Sequence, residues 1–180
     1  MSDWTHKKLV RRMAAWLKGS QRMTVVCAEL TTRNSETPDV IGWVGGAASV
    51  LIECKVSRAD FLADAKKHFR RYADMGMGDK RYMAAPPGII RPDELPESWG
   101  LLEPTPYTGM KRDYIKTIVE AQHQEASKRN ECVMLMSALR RLEISTAVYV
   151  VHDDAENDQV DRRGIPRPVE RLVGQSGGTK

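Results

Sequence analysis

The sequence predicts an α/β domain. Three features point to it: a charged amphipathic stretch at the start, short apolar runs rich in β-branched residues after it, and helix-compatible segments between and beyond those runs. The 180 residues fit one domain with a decorated end, and 41% hydrophobic content suffices for a core.

Ser2 or Asp3 is placed to cap a first helix over about residues 4–18, where Leu9, Val10, Met13, Trp16 and Leu17 fall at helical spacing before Gly19. Met23 to Leu30 carries Val25 and Val26 and leads into the polar loop Thr31 to Thr37, so a strand ending near Glu29 is expected. Val40 to Val44 and Ser49 to Cys54 are apolar runs joined by small residues, which predicts a hairpin centred near Gly46. Ser57 and Asp60 have capping-box spacing, and Phe61, Ala65, Phe69 and Tyr72 recur on one face, predicting a helix over about 58–74. Arg81 to Ala85, stopped by Pro86-Pro87, and Gly100 to Glu103 read as further short strands.

Beyond Pro106, Asp113 to Lys128 and Glu131 to Leu142 are charged and helix-compatible. Ala147 to Val151 is a possible strand, and from Asp153 onward apolar residues thin out, which predicts a mobile tail. The domain expectation is a core over 1–106, a helical extension packed on it over 107–152, and a flexible polar tail over 153–180.

A net charge of +4 and a pI near 9.0 favour a phosphate-bearing partner only weakly. No run has signal-peptide or membrane-spanning character, so a cytoplasmic protein with no membrane partner is expected. Cys27, Cys54 and Cys132 are odd in number and far apart, which argues against a disulfide framework or a CxxC zinc site; Cys27 and Cys54 read as buried thiols. His6, His68, His123 and His152 lack metal-ligand spacing, and the glycines do not form a phosphate loop. The run Val133 to Met136 reads as helix core.

The chemistry concentrates around Pro38-Asp39 and Glu53-Cys54-Lys55. Side chains alternate along a strand, so Glu53 and Lys55 share one face. A hairpin symmetric about Gly46 sets Asp39 opposite Glu53, and such paired carboxylates repel unless a cation sits between them. Mg²⁺, or Mn²⁺, is satisfied by carboxylates, a backbone carbonyl and waters; Asp39, Glu53 and the Cys54 carbonyl supply that set, and Glu29 adds a nearby carboxylate. Lys55 is then placed to hold or deprotonate an attacking water and to offset charge building on a phosphate. Hydrolysis of a phosphodiester needs these parts. An E-x-K triplet alone is commonly a solvated strand end, and the bland reading is a surface ion pair of Lys55 with Glu53 or Asp39. On the second helix, Asp60 reads as a cap, and Asp64, Lys67 and Arg71 as a solvated stripe.

The segments AELTTRNSETPDV, ECKVSRADFLADAKKHFRRY and LPESWGLLE, in that order over roughly residues 9–103, resemble the MmcB-like DNA-repair family of the PD-(D/E)xK nuclease superfamily. Asp64 also matches that family's helix, against its reading as part of a solvated stripe; Cys54 stands where the family usually has an apolar residue, a Gly-rich insertion follows Tyr72, and residues from Pro106 onward are not covered. The resemblance implies a restriction-endonuclease-like αβββαβ core with a mixed sheet, to which the C-terminal helices are added. It also implies a divalent-metal-dependent deoxyribonuclease acting in repair or recombination, with the catalytic roles carried onto Glu29, Asp39, Glu53 and Lys55 and with Lys66 as the family's helical lysine. DNA is the expected partner, with Arg58, Lys67, Arg70 and Arg71 as phosphate contacts and a homodimer as one route to double-strand cutting. The rival expectation is a binding module for nucleic acid or a protein partner, on the same fold but without catalysis.

Overall fold

In a computed structural model, the described residues are 4–32, 37–64, 76–105 and 114–141. All fall within one compact unit, Met1–Ile144. The order is α1 (His6–Gly19), β1 (Val25–Ala28), β2 (Val40–Val44), β3 (Ala48–Cys54), α2 (Arg58–Asp64), β4 (Lys80–Ala84), β5 (Gly100–Thr105), β6 (Tyr114–Val119) and α3 (Lys128–Arg141).

These strands form one six-stranded mixed sheet in sequence order. The β1–β2, β2–β3 and β5–β6 pairs are antiparallel, and β3–β4 and β4–β5 are parallel. The chain is therefore of the α/β class. β3 is central and buried along almost its whole length, which is why its sequence is a continuous apolar run rather than an alternation. α1 covers one face: Leu9, Val10, Met13 and Leu17 pack with Val40, Val50, Ile52, Tyr82 and Leu102. The other face holds Ile41, Leu51, Met83 and Leu101 against Phe61 of α2, Met134 of α3 and Trp99.

Thr5, not Ser2 or Asp3, caps α1: its hydroxyl accepts the Lys8 amide at 3.2 Å. The β2–β3 hairpin turns through a 3-10 segment at Gly45–Ala47, and Val44 pairs with Ala48, so the hairpin is centred on Gly46. Ser57 Oγ accepts the Asp60 amide at 3.2 Å, which starts α2 where the capping spacing predicts. Gly100 is required by close approach, since a Cβ there would lie 2.4 Å from the Tyr82 ring and 2.7 Å from the Ala121 nitrogen.

The segment after Pro106 departs from expectation. Where a helix over Asp113 to Lys128 is predicted, Tyr114–Val119 is a strand pairing with β5, and residues 120–127 have no regular secondary structure. Tyr114, Ile115, Thr117, Ile118 and Val119 explain this: β-branched and aromatic side chains lose rotamer freedom in a helix and pack well on a pleated surface. Residues 107–152 are thus no purely helical extension, because part of them completes the sheet. The second predicted helix is found as α3. The continuation of the 58–74 helix beyond Asp64, the strand at 147–151 and the tail over 153–180 lie outside the described residues.

A buried polar cluster fixes α3 to the sheet. Glu131 Oε1 accepts from Ser49 Oγ at 2.7 Å and the Gly78 amide at 2.9 Å, while Oε2 accepts from the Trp43 indole at 3.0 Å and Lys128 Nζ at 3.1 Å. Lys128 Nζ also donates to Asp79 Oδ2 at 2.7 Å. Burial alone would raise the Asp79 carboxyl, but the Lys128 ammonium and Ser49 donors outweigh it and hold its pKa below the ordinary value. Burial alone would lower Lys128, and its two carboxylate partners raise it. Met134 is core as predicted, whereas Val133 and Met136 of the same run are exposed.

Candidate functional site

The strand register brings the predicted carboxylates to one end of the sheet. Ala28 pairs with Val40 and Val40 with Ile52, so the next residues outward, Glu29, Asp39 and Glu53, form a row across β1, β2 and β3. The Glu29 amide donates to the Asp39 carbonyl at 2.9 Å, extending the pairing of β1 with β2 by one step. Glu29 has a φ of 50°, a left-handed conformation that costs a non-glycine residue about 1–2 kcal/mol. The strand thus ends abruptly at this carboxylate.

Asp39 Oδ2 accepts the Cys54 amide at 2.7 Å, which ties the start of β2 to the end of β3. Lys55 follows the last residue of β3 and keeps its alignment, because its amide donates to the Ala84 carbonyl at 2.8 Å. Its side chain turns back along the strand, and Nζ lies 3.4 Å from Glu53 Oε2. Both partners are buried, at 1% exposure for Glu53 and 3% for Lys55. The bland expectation of a surface ion pair therefore fails. Burying charges costs several kcal/mol for each ion, and an ion pair in such a place adds little net stability, so the pair calls for another reason.

Exposure rises along the row, with side chains 2% exposed at Glu53, 18% at Asp39 and 53% at Glu29. The row is thus open to solvent from the β1 side. Cys54 reports the local field: burial pushes its thiol pKa well up, Asp39, Glu53 and Glu29 push it further, and Lys55 opposes them. The hard oxygen donors here, namely the Asp39 and Glu53 carboxylates and the Cys54 carbonyl, are of the kind that a small divalent cation takes. Among the described residues no group of three or more His, Cys, Asp or Glu converges as a metal site, so waters would have to complete the coordination.

Sequence reasoning missed His6. Isolated in the sequence, it sits in the first turn of α1, with Nε2 3.3 Å from Asp39 Oδ1 and 3.9 Å from Glu29 Oε1. Nothing in its spacing in the sequence indicates the contact.

Arg58 is placed differently from a plain phosphate contact. Its guanidinium forms a bidentate pair with Glu94, donates to the Ile89 carbonyl at 3.2 Å and lies 5.4 Å from the Phe61 ring centroid. The Arg58 side chain holds Glu94 well down, at a pKa of about 2. A phosphate would have to share or displace that carboxylate. Lys66, Lys67, Arg70 and Arg71 lie outside the described residues. The cysteines are free thiols; Cys54 is buried as predicted, Cys27 is half-buried and Cys132 exposed. No helix among the described residues is long and apolar enough to cross a membrane.

No family model matches the chain. No curated protein matches it either. Among solved structures, it is similar to a protein of unknown function from Silicibacter pomeroyi, with 26% identity, a TM-score of 0.56, and coverage of 79% of this chain and 92% of that one. That likeness extends over most of both chains and carries no activity with it.

Proposed function

We propose that this protein is a divalent-metal-dependent nuclease on a PD-(D/E)xK core, hydrolysing phosphodiester bonds of DNA in repair or recombination as the MmcB-like resemblance implies. The observation that carries the reading is the row Glu29, Asp39 and Glu53 across adjacent strand ends, with Lys55 buried against Glu53. Like charges opposite one another in a sheet are destabilising, and a bound cation reverses that sign.

Asp39, Glu53 and the Cys54 carbonyl would hold Mg²⁺ or Mn²⁺, with Glu29 joining through water. Such an ion supplies an acidified water and charge neutralisation at the phosphate. The chain's own groups do the rest. The Cys54 amide fixes the Asp39 carboxylate, and Glu53 keeps the Lys55 ammonium aligned beside it. Lys55 orients the attacking water by hydrogen bonding and offsets the negative charge that grows on the phosphate oxygens. Substrate approaches from the exposed Asp39–Glu29 side. Lys66 takes the role of the family's helical lysine. The site cuts one strand at a time, so a double-strand break requires a homodimer or two visits. The location inferred with this role is cytoplasmic.

The test is cleavage of labelled single-stranded, duplex and branched DNA with Mg²⁺ or Mn²⁺. Wild type is expected to cut only with metal, and Asp39→Asn, Glu53→Gln and Lys55→Met to lose about 10²–10³-fold or more. DNA bound but uncut by wild type in every metal would replace this reading with the non-catalytic binding module.

A further inference from the structure

A groove of about 530 Å³ begins two residues beyond Glu29 in the chain, lined by Thr31 and Thr32 after β1 and by Val133, Ser137, Arg140 and Arg141 of α3. We propose that this groove holds the sugar–phosphate backbone of the DNA strand leading into the site, an inference that rests on the nuclease reading.

Its volume falls in the range of ligand clefts, and among the described residues its polar lining consists of hydroxyls and guanidinium groups. Among the described residues, neither arginine has an acidic side chain within ion-pairing distance. Arg141 is already oriented, since Nη2 donates to the Thr31 carbonyl at 2.5 Å. A guanidinium has several donors in a fixed fork, so that bond positions the group and leaves others for a phosphate. Thr31 lies just beyond Glu29 in the chain, so a backbone seated here continues onto the exposed end of the row. Arginines in a last helical turn also complement the helix dipole. That accounts for their charge but not for a concave surface shared with Thr31 and Thr32. Contacts of this kind read phosphate rather than base sequence.

The experiment measures binding of a fluorescent DNA oligomer by the full chain in EDTA, so that cleavage does not intervene, as a function of salt. It compares wild type, Arg140→Ala/Arg141→Ala, and Lys18→Ala/Arg22→Ala; the last pair removes the same charge from exposed positions in and just after α1, on the opposite face of the sheet. The groove pair is expected to weaken binding about tenfold at physiological salt and to reduce the slope of log K against log salt by about 1–2, while the α1 pair leaves the slope near wild type. Equal effects of both pairs, or none from the groove pair, would overturn the proposal. If wild type cuts DNA but the groove pair binds unchanged, the groove inference falls and the nuclease reading stands. If wild type binds without cutting and the groove pair alone loses slope, the groove stands and the nuclease reading falls. Arg140→Ala alone, which removes no bond to Thr31, repeats the comparison should the double variant misfold.

Discussion

Lys55→Met is the most informative single change, because it tests whether the buried pair exists for stability or for a cation. The methionine keeps most of the volume and removes the ammonium that faces Glu53 at 3.4 Å. Breaking one side of a buried ion pair costs about 3–5 kcal/mol. At about 3 °C for each kcal/mol in a chain of this size, the melting temperature in EDTA is expected to fall by about 10–15 °C. Replacing both partners, Glu53→Gln with Lys55→Met, removes the uncompensated charge, and the double variant is expected within about 1 kcal/mol of wild type or above it. Magnesium then separates the readings. An ion that binds only the folded state at a hundred times its Kd stabilises by about 2.7 kcal/mol, or about 8 °C here. Wild type is expected to show such a rise, Lys55→Met a larger one because the ion replaces a missing positive charge, and the double variant a much smaller one. Thermal melts monitored by circular dichroism over a Mg²⁺ titration, at constant ionic strength, give all three values. A Lys55→Met protein melting within about 2 °C of wild type in EDTA, or identical magnesium responses in all three, would refute the reasoning.

The α3 clamp offers a second case: Glu131→Ala removes the acceptor for Trp43, Ser49, Gly78 and Lys128, and urea unfolding is expected to show a loss of about 3 kcal/mol or more, with Glu131→Gln losing less. Its pH dependence follows from the shifts. Asp79 is held below 3.8, so its contribution is complete above that value and disappears as pH falls through the lower folded pKa. Lys128 is raised above 10.5, so its share is complete below that and is lost as pH rises through the higher folded pKa. Stability difference curves of wild type against Lys128→Met should therefore be flat between these limits and converge at both extremes; a difference that changes around neutral pH contradicts the assignment. Gly100→Ala forces a Cβ to 2.4 Å from the Tyr82 ring and is expected to cost about 1–3 kcal/mol by denaturant melt, with Gly100→Ala/Tyr82→Leu recovering part of it.

Much of the sheet was legible because its signals are local. A continuous apolar run bounded by small residues marks β3, and the symmetry of the hairpin about Gly46 places Asp39 against Glu53 without reference to the rest of the fold. β6 was misread because charge dominates the segment as a whole, while the run from Tyr114 to Val119 carries strand propensity over six residues only. The contact of His6 with Asp39 and Glu29 depends on where α1 crosses the sheet end, which no spacing within the helix encodes. Likewise Arg58 looks like a free surface cation in sequence, and its partner Glu94 lies 36 positions away, beyond β4, where only tertiary packing brings the two together.

The polar groups at the two ends of β3 differ in a way that bears on function. At its start, the Glu131 oxygens meet an indole, a hydroxyl, a backbone amide and an ammonium, all built into the fold, so the cluster is complete and its role is to seat α3. At its end, carboxylates occupy three neighbouring strand positions, and among the described residues Lys55 and His6 lie against them. A sheet designed only for stability would not set like charges side by side, nor bury one of them, since apolar residues of similar size serve as well or better there. Local rules are broken most often where binding or chemistry compensates for the loss. On the nuclease proposal, the row is half of a site whose other half arrives from solution: a divalent cation first, and a phosphodiester drawn to it.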